Sequence, residues 1–197
     1  KFKMHLKSNK VNVIKILPGG VVTAKDTAEI QLDENGEFVR NPEEDIVKVA
    51  VVERHQGTGN VACGFLKGYG IKAGAVALSI AHDSHNIIVV GVSDEEMEFA
   101  VNSLIAQEGG MVLVREGKVL ESMPMPIAGL MSDQSGEWVD EKLTAIHAKA
   151  YEELGIAGDV EPVMTLCFMS LAVIPEVKLT DMGLFDVTTF SFIPVEA

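Results

Sequence analysis

Short apolar runs rich in β-branched residues recur along the 197-residue chain, and most neighbouring runs are joined by short links. Examples are VNVIKIL (11–17), IVKVAVVERH (46–55), AVALSIA (75–81) and IIVVGV (87–92). Each has the length and composition of a strand. Strands joined by a few residues pair antiparallel, whereas a parallel crossover needs a long connection. The sequence therefore predicts an α+β fold with mixed or largely antiparallel sheets, arranged as a layered sandwich.

Turn residues indicate two hairpins. The run AEIQLDENGEFV (28–39) is predicted to turn at its Asn-Gly pair, because these residues accept a positive φ. The run GMVLVREGKVLESM (110–123) is predicted to turn at its Glu-Gly pair. The runs MTLCFMSLAVIP (164–175) and FDVTTFSFI (185–193) are predicted to form the last strands. The hairpins support the expectation of antiparallel pairing.

Two amphipathic helices are predicted between the strands. The first begins at Ser93, whose hydroxyl can cap it and whose three acidic followers suit the positive end of the helix dipole; it ends at Gly109-Gly110. The second runs from about Glu137 to Leu154 and ends at Gly155. The inner stripes are Met97, Ala100, Val101, Leu104 and Ile105 in the first helix, and Val139, Leu143, Ile146 and Ala150 in the second.

The charge and hydropathy patterns argue against nucleic-acid and membrane partners. The formal net charge is −13, whereas phosphate binding needs a clustered excess of Lys and Arg. The local basic run lies in residues 1–10, which we interpret as a solvated N-terminal tail. The longest apolar stretches are far shorter than a membrane span. We therefore expect neither a nucleic acid nor a membrane as a partner.

The cysteines and the first residues bear on the cellular context. Cys63 and Cys167 lie in apolar runs without C-x-x-C spacing, so they are predicted to be buried reduced thiols, which suits a cytoplasmic location. The opening KFKMHLKSNK lacks the apolar core of a signal peptide. The chain starts at Lys1 rather than Met and enters a strand-like run within ten residues. We interpret it as part of a longer protein.

The segment from His82 to Asn86 holds the densest group of reactive side chains, between two apolar strands. His82 and His85 could bind a divalent metal, with Asp83 as an orienting group or ligand. Alternatively, the imidazoles could transfer protons near neutral pH. A third interpretation is a turn whose side chains satisfy backbone groups. A functional role is favoured because dense polar groups between buried strands are costly unless each finds a partner.

A second candidate segment ends the run at 46–55. Its last residues, Glu53-Arg54-His55, lead directly into a Gly-Thr-Gly loop. The backbone N–H groups of this loop could approach a ligand, with Arg54 or His55 as a charged contact. The alternative is a strand end with a flexible turn. The spacing matches neither phosphate-binding fingerprint, and the zinc deaminase signature H-x-E with P-C-x-x-C is absent from the sequence. No self-sufficient catalytic set is visible.

Three long strings carry a resemblance to a known family. They are VKVAVVERHQGTGNVACGFLKGYGIKAGAVALSIAHDSHNIIVVGVSDEEM, MPMPIAGLMS and LTDMGLFDVTTFSF. In this order they closely resemble the C-terminal region of bacterial adenine deaminases of the amidohydrolase superfamily. The similarity spans residues 11–197, which are identified as an adenine deaminase C-terminal domain.

The resemblance implies an enzyme activity to which this chain contributes but which it does not perform alone. Enzymes of the family hydrolyse adenine to hypoxanthine and ammonia with a metal-activated water. The divalent metal (Mn, Fe or Zn) is expected to be held mainly by a (β/α)₈ barrel that precedes this region and is missing here. The barrel is thus the expected partner, a homo-oligomer is expected, and the chain alone is expected to be inactive.

The two candidate segments supply the expected site residues, and the missing barrel suggests what they face. The segment from His82 to Asn86 is expected to face the mouth of the active site or an interface. The candidate catalytic residues are His82, Asp83 and His85, with His82 and His85 also the candidate metal ligands; the candidate contacts to substrate or interface are Ser84, Asn86, Glu53, Arg54, His55, Gly57 and Gly59. Two other functions remain open: a structural or oligomerisation module, and an autonomous metal- or small-molecule-binding domain.

Overall fold

The computed structural model describes residues 2–197, which form thirteen strands and three helices. The strands are β1 (Lys10–Ile16), β2 (Thr23–Glu29), β3 (Gln31–Leu32), β4 (Phe38–Val39), β5 (Ile46–Val52), β6 (Val61–Lys67), β7 (Ala75–Ala81), β8 (Asn86–Gly91), β9 (Gly110–Arg115), β10 (Lys118–Pro124), β11 (Val177–Thr180), β12 (Gly183–Asp186) and β13 (Ser191–Ile193). The helices are α1 (Asp94–Ala106), α2 (Gly136–Glu152) and α3 (Pro162–Cys167).

An eight-stranded sheet forms the centre, in the order β10-β9-β7-β8-β5-β6-β1-β2. Its neighbours pair antiparallel, except that β1 and β6 run parallel. A three-stranded sheet, β11-β12-β13, and the small β3-β4 hairpin complete the strands. The predicted α+β class with mixed, largely antiparallel sheets is confirmed. In the central sheet, short links explain the antiparallel pairing of the consecutive strands β1-β2, β5-β6, β7-β8 and β9-β10.

Both faces of the central sheet are covered, which explains its continuous apolar runs. Along β5, Val47, Val49 and Val51 pack on the side that holds α2, α3 and the three-stranded sheet. Ala50 points to the opposite side, where α1 lies against β7, β8 and β9. Side chains on a strand alternate between faces, so one run contributes to both cores. The result is a layered arrangement around one sheet.

The two predicted amphipathic helices are present, with one error in the first. Ser93 caps α1, and its Oγ accepts a hydrogen bond from the backbone N–H of Glu96 at 3.3 Å, as predicted. Ile105, assigned to the inner stripe, is 57% exposed, whereas Leu104 is buried. Each residue turns the helix by about 100°, so Ile105 has rotated away from the sheet that Leu104 touches. In α2, Ile146 and Ala150 are buried as expected.

Three strand assignments are wrong in detail. The run 164–175 is not a strand: α3 and a series of turns occupy it. Pro162 is the first residue of that helix, and the Glu161 carboxylate caps it by accepting from the N–H of Met164. The run that follows is apolar throughout, so its hydrophobic pattern does not distinguish a helix from a strand. The run 185–193 is divided by a turn between β12 and β13. The run 46–55 leaves the sheet after Val52.

One strand carried no recognisable pattern. The sequence TAKDTAE forms β2 at the edge of the sheet, paired only with β1. Its side chains are mostly polar and partly exposed. Polar residues are common on edge strands, where they discourage pairing with other chains.

The N-terminal segment is not simply a solvated tail. Phe2 is 6% exposed and packs into the core beneath α1. Its carbonyl accepts a hydrogen bond at 3.0 Å from the buried amine of Lys48, which also pairs with Asp94 at 2.6 Å. The prediction of a solvated tail is therefore wrong at Phe2.

A lysine is also buried without a carboxylate partner in the hydrogen bonds and ion pairs of residues 2–197. Lys178 on β11 is fully buried, and its Nζ donates to the carbonyl of Val21 at 2.9 Å. Burial lowers the pKa of this amine from 10.5 to about 8. A charged amine in such a site disfavours the folded state at neutral pH.

Replacement of Lys178 by Met should therefore change how stability depends on pH. Between pH 8 and 10.5 the unfolded chain retains the proton that the folded chain has lost. The free energy of unfolding of the unmodified protein should rise by about 1.4 kcal/mol per pH unit in this window relative to Lys178→Met. Urea unfolding at pH 7 to 10 measures the difference. The exposed Lys118→Met is the control, and parallel curves for Lys178→Met and the unmodified protein would contradict the assignment.

Candidate functional site

The predicted segment from His82 to Asn86 forms the tight connection between β7 and β8. The N–H of His85 donates to the carbonyl of Ala81 at 2.7 Å, which closes the turn. His85 has a φ of +54°, which side-chain-bearing residues rarely adopt. The N–H of His82 donates to the carbonyl of Cys167 at 2.9 Å, so α3 anchors the turn on its other side. The loop is therefore held by backbone hydrogen bonds at both ends.

Arg54 and His55 brace this loop from the neighbouring strand end. Arg54 Nε donates to the carbonyl of His85 at 2.5 Å, and the Arg54 backbone N–H donates to Oδ1 of Asn86 at 3.3 Å. His55 Nε2 lies 2.7 Å from the carbonyl of Ser84. The structure thus brings together the two candidate segments that are separate in the sequence.

Arg54 also reaches a third part of the chain. One terminal guanidinium nitrogen donates to the carbonyl of Ala128 at 2.8 Å, and a Cβ at Gly129 would lie only 3.0 Å from the other. Gly129 has a φ of +73°. The positive φ favours glycine at this position, and a side chain there would also press on the guanidinium.

The carboxylate of Glu53 bonds backbone N–H groups of the loop that follows it. Its carboxylate accepts backbone hydrogen bonds from His55 at 2.5 Å, Gln56 at 2.7 Å and Thr58 at 3.0 Å. The N–H of Gln56 contributes most to lowering the pKa of Glu53, which falls to about 2. Gly57 and Gly59 adopt positive φ in this exposed loop. Glu53 therefore shapes the turn that follows β5.

The two imidazoles of the loop are neighbours. The ring centroids of His82 and His85 are 5.4 Å apart in an edge-to-face arrangement, and the ring of His82 lies 4.8 Å from that of Phe168. Burial lowers the pKa of His85, and the nearby positive charges of His82 and Arg54 act in the same direction. Neutral His85 is thus favoured at pH 7.

His82 and His85 do not belong to a complete set of metal ligands within residues 2–197. Among residues 2–197, no group of three or more His, Cys, Asp or Glu side chains could hold a metal ion. Structural and catalytic zinc sites use at least three protein ligands. His82 and His85 would therefore need donors from elsewhere to form such a site.

Two apolar grooves flank the loop. One, of about 320 Å³, is lined by His82, Phe168 and Met164 among others. The other, of about 370 Å³, runs from Asp83 and Ser84 to the three-stranded sheet. Along these grooves the exposed apolar side chains are Met164, Val173, Met182 and Phe192. We call these four residues and residues 82–84 the loop face; exposed apolar side chains grouped in this way are typical of an interaction site.

A third cavity lies on the opposite side of the sheet, next to Arg54. It measures about 390 Å³ and is lined by Val52, Gly57, Ile87 and the exposed Ile105, with Ser79 deeper in the wall. Ser79 joins neighbouring segments, because its Oγ donates to the carbonyl of Gly129 and accepts from the N–H of Gly110.

His147 on α2 makes a side-chain contact with the residue that caps α3. Its Nε2 contacts Oε1 of Glu161, whose other oxygen caps α3 at Met164. His147 also lines the same groove as His82. No short motif links positions 147 and 161, so the sequence alone gives no signal for this pair.

Comparison with protein families decides the assignment. The family model described as "Adenine deaminase C-terminal domain" matches residues 20–191. The chain belongs to this family. The predicted resemblance is therefore confirmed.

Named relatives agree with the family match. The domain is 67% identical over 197 residues to adenine deaminase 2 of Desulfotalea psychrophila, a match that covers 100% of this chain and 34% of the relative. It is 49% identical over 196 residues to adenine deaminase of Ligilactobacillus salivarius, again covering 100% of the chain and 34% of the relative. The chain thus spans about a third of the length of these curated relatives.

Helix length in the domain bears on membrane insertion. Within residues 2–197, none of the helices combines the length and apolar character needed to cross a membrane.

Replacement of Arg54 by Gln should loosen the loop of this domain without unfolding the sheet. The carbonyls of His85 and Ala128 would lose their donor, so the free energy of unfolding should fall by about 1–3 kcal/mol. Amide hydrogen exchange should accelerate at His85, whose N–H closes the turn. The matched control is Arg115→Gln, since Arg115 also donates to a backbone carbonyl, that of Glu153. Unchanged exchange at His85 in Arg54→Gln would show that the brace is unimportant.

Proposed function

We propose that this chain is the C-terminal accessory domain of an adenine deaminase, in which it packs against the catalytic domain and presents residues 82–86 at their boundary. The observation that carries the proposal is the loop face together with the braced loop beside it, which holds the imidazoles of His82 and His85. Relatives about three times as long provide the remaining part that could cover it.

The proposed activity belongs to the intact enzyme. Adenine deaminases, as the resemblance implies, hydrolyse adenine to hypoxanthine and ammonia. A divalent metal (Mn, Fe or Zn) would supply the activated water there, and we assign its ligands mainly to the catalytic domain because His82 and His85 have no third ligand within residues 2–197. The chain alone should not deaminate adenine.

The roles proposed for the loop side chains follow from their chemistry. The imidazoles of His82 and His85 can donate or accept a hydrogen bond or a proton at the boundary. Asp83 and Ser84 line the groove toward the three-stranded sheet, where they can contact the covering domain. Asn86 accepts from the Arg54 backbone and positions the strand end.

The supporting segment after β5 contributes indirectly. Arg54 and His55 hold the loop through its carbonyl groups. Glu53, together with the turn through Gly57 and Gly59, keeps this segment in place. We therefore propose positioning roles for these residues.

We also propose a cytoplasmic location, on the basis of the two cysteines. Cys63 and Cys167 are free thiols; Cys167 is buried as predicted, and Cys63 is partly buried. Burial raises the pKa of Cys63 to about 11 and that of Cys167 to about 12, which keeps both thiols protonated and unreactive. Unreactive reduced thiols fit the cytoplasm.

A chimera tests the site role. This chain should replace the matching third of the D. psychrophila adenine deaminase 2, to which it is 67% identical. In that enzyme His82→Ala and His85→Ala should each lower kcat/KM for adenine at least about fivefold, the effect of losing a hydrogen bond or proton-transfer group. The control is His5→Ala in the N-terminal segment, which should retain activity.

The outcomes separate three functions. Unchanged kcat/KM with a loss of assembly would overturn the site role and favour a structural or oligomerisation module, which could use the same apolar face of Val173, Met182 and Phe192. A rise in Tm when Zn²⁺ or Mn²⁺ is added to the isolated chain would favour an autonomous metal-binding domain. Deamination of adenine by the isolated chain would contradict the accessory role altogether.

A further inference from the structure

The backbone of His85 is hydrogen-bonded on both sides. Its N–H is bonded to the carbonyl of Ala81, and its own carbonyl accepts from Arg54 Nε at 2.5 Å. The backbone between these two bonds has the left-handed φ of +54°. With both peptide groups hydrogen-bonded, the Cα–Cβ bond leaves the backbone in a fixed direction. The ring itself lies edge-to-face with that of His82, with centroids 5.4 Å apart.

The two ring nitrogens of His85 have different surroundings. Nδ1 is sealed from solvent and has no hydrogen-bond partner among residues 2–197. Nε2 is neither sealed nor engaged with a protein group in that part of the chain. A neutral imidazole carries its proton on one nitrogen only, so the surroundings of the two nitrogens determine the tautomer.

A bare lone pair is favoured on the sealed nitrogen. A buried N–H without an acceptor is rarer in proteins than a buried acceptor without a donor. Of the groups that act on the ring, His82, Arg54, His55 and Asp83, the permanently charged Arg54 also bonds the carbonyl of the same residue, and its positive charge favours a lone pair nearby. The proton is then best carried by Nε2, where it can reach a partner.

We infer that His85 is held as the neutral Nε2–H tautomer and donates a hydrogen bond, rather than accepting one, to an acceptor that covers the loop. This inference rests on the proposed function, because it names what the loop recognises. The acceptor is a carbonyl, a carboxylate or an unprotonated aromatic nitrogen. Such an atom lies either on the catalytic domain or on a bound heterocyclic base.

A second consequence concerns the general-base role. A nitrogen that already bears its proton cannot abstract another, and the lone pair on Nδ1 is sealed away from any reactant. His85 is therefore a recognition group in its neutral form. The proton-accepting role considered for the loop would fall to His82.

The tautomer can be read directly in the isolated chain with ¹⁵N-labelled histidine. In a long-range ¹H–¹⁵N correlation spectrum at pH 7.5, the unprotonated nitrogen of His85 should couple to Hε1 alone, as Nδ1 does. Coupling of the unprotonated nitrogen to both Hε1 and Hδ2 would identify it as Nε2 and overturn the inference. His85→Gln assigns the signals. This measurement is independent of any enzyme activity, so its failure leaves the proposed function standing.

Isosteric variants in the chimera test the donor at a defined position. The amide nitrogen of Gln can occupy the place of Nε2, whereas that of Asn occupies the place of Nδ1. Asn tolerates the positive φ at least as well as Gln, so backbone strain does not favour Gln. His85→Gln should retain kcat/KM within about threefold, and His85→Asn and His85→Met should lose about five- to tenfold, the effect of one neutral hydrogen bond. Retention by Asn and loss in Gln would overturn the inference.

The same variants distinguish the two sources of the acceptor. If the acceptor is on adenine, His85→Asn lowers kcat/KM while the Tm of the chimera is unchanged. If it is on the catalytic domain, the Tm falls together with kcat/KM. Equal activity of His85→Ala and the unmodified chimera, with the predicted tautomer in the spectrum, would instead contradict the proposed function while the tautomer assignment stands.

Discussion

The antiparallel register between β5 and β8 determines where the candidate site lies. Val52 pairs with Ile87, so the residues just beyond the end of β5 are opposite those just before β8. This register brings Arg54 beside the carbonyl of His85, although the two residues are 31 positions apart in the chain. A shift by one residue would exchange the faces of the strand and separate these groups. The packing of β5 resists such a shift, because its valines would then face α1 and the buried amine of Lys48 would lose the carbonyl of Phe2 and the carboxylate of Asp94. Packing of the sheet thus secures the geometry of the loop.

Much of the fold follows from local signals in the sequence. The β-branched runs, the Ser93 cap and the glycines that end the helices each have a local physical cause, so their consequences could be predicted. The run 164–175 lacks such a signal, because it is apolar throughout and its helix is set by a proline and a cap just before it. Ile105 shows the complementary difficulty: an apolar residue next to the stripe was assigned to the core, but the orientation of the helix on the sheet leaves it exposed.

The sequence likewise indicates some parts of the candidate site and not others. The density of polar groups between two buried strands identified the segment 82–86 from sequence, and the end of β5 was identified by its charged residues and glycines. The link between them could not be foreseen, because hydrogen bonds from Arg54 to distant carbonyls depend on the register of strands and on the glycine at 129. The contact between His147 and Glu161 likewise joins two helices that no local pattern relates. Long-range hydrogen bonds of this kind are properties of the assembled fold.

The burial of Phe2 determines how far the chain can be shortened. The family match begins at residue 20, and the resemblance in the sequence begins at residue 11. Both limits leave out Phe2, which packs in the core with α1 and whose carbonyl accepts from the amine of Lys48. A chain shortened to either limit would retain every strand of the central sheet or most of them, yet expose apolar surface and leave a buried cation with one partner fewer. Anyone preparing the domain for crystallisation or fusion should retain these first residues.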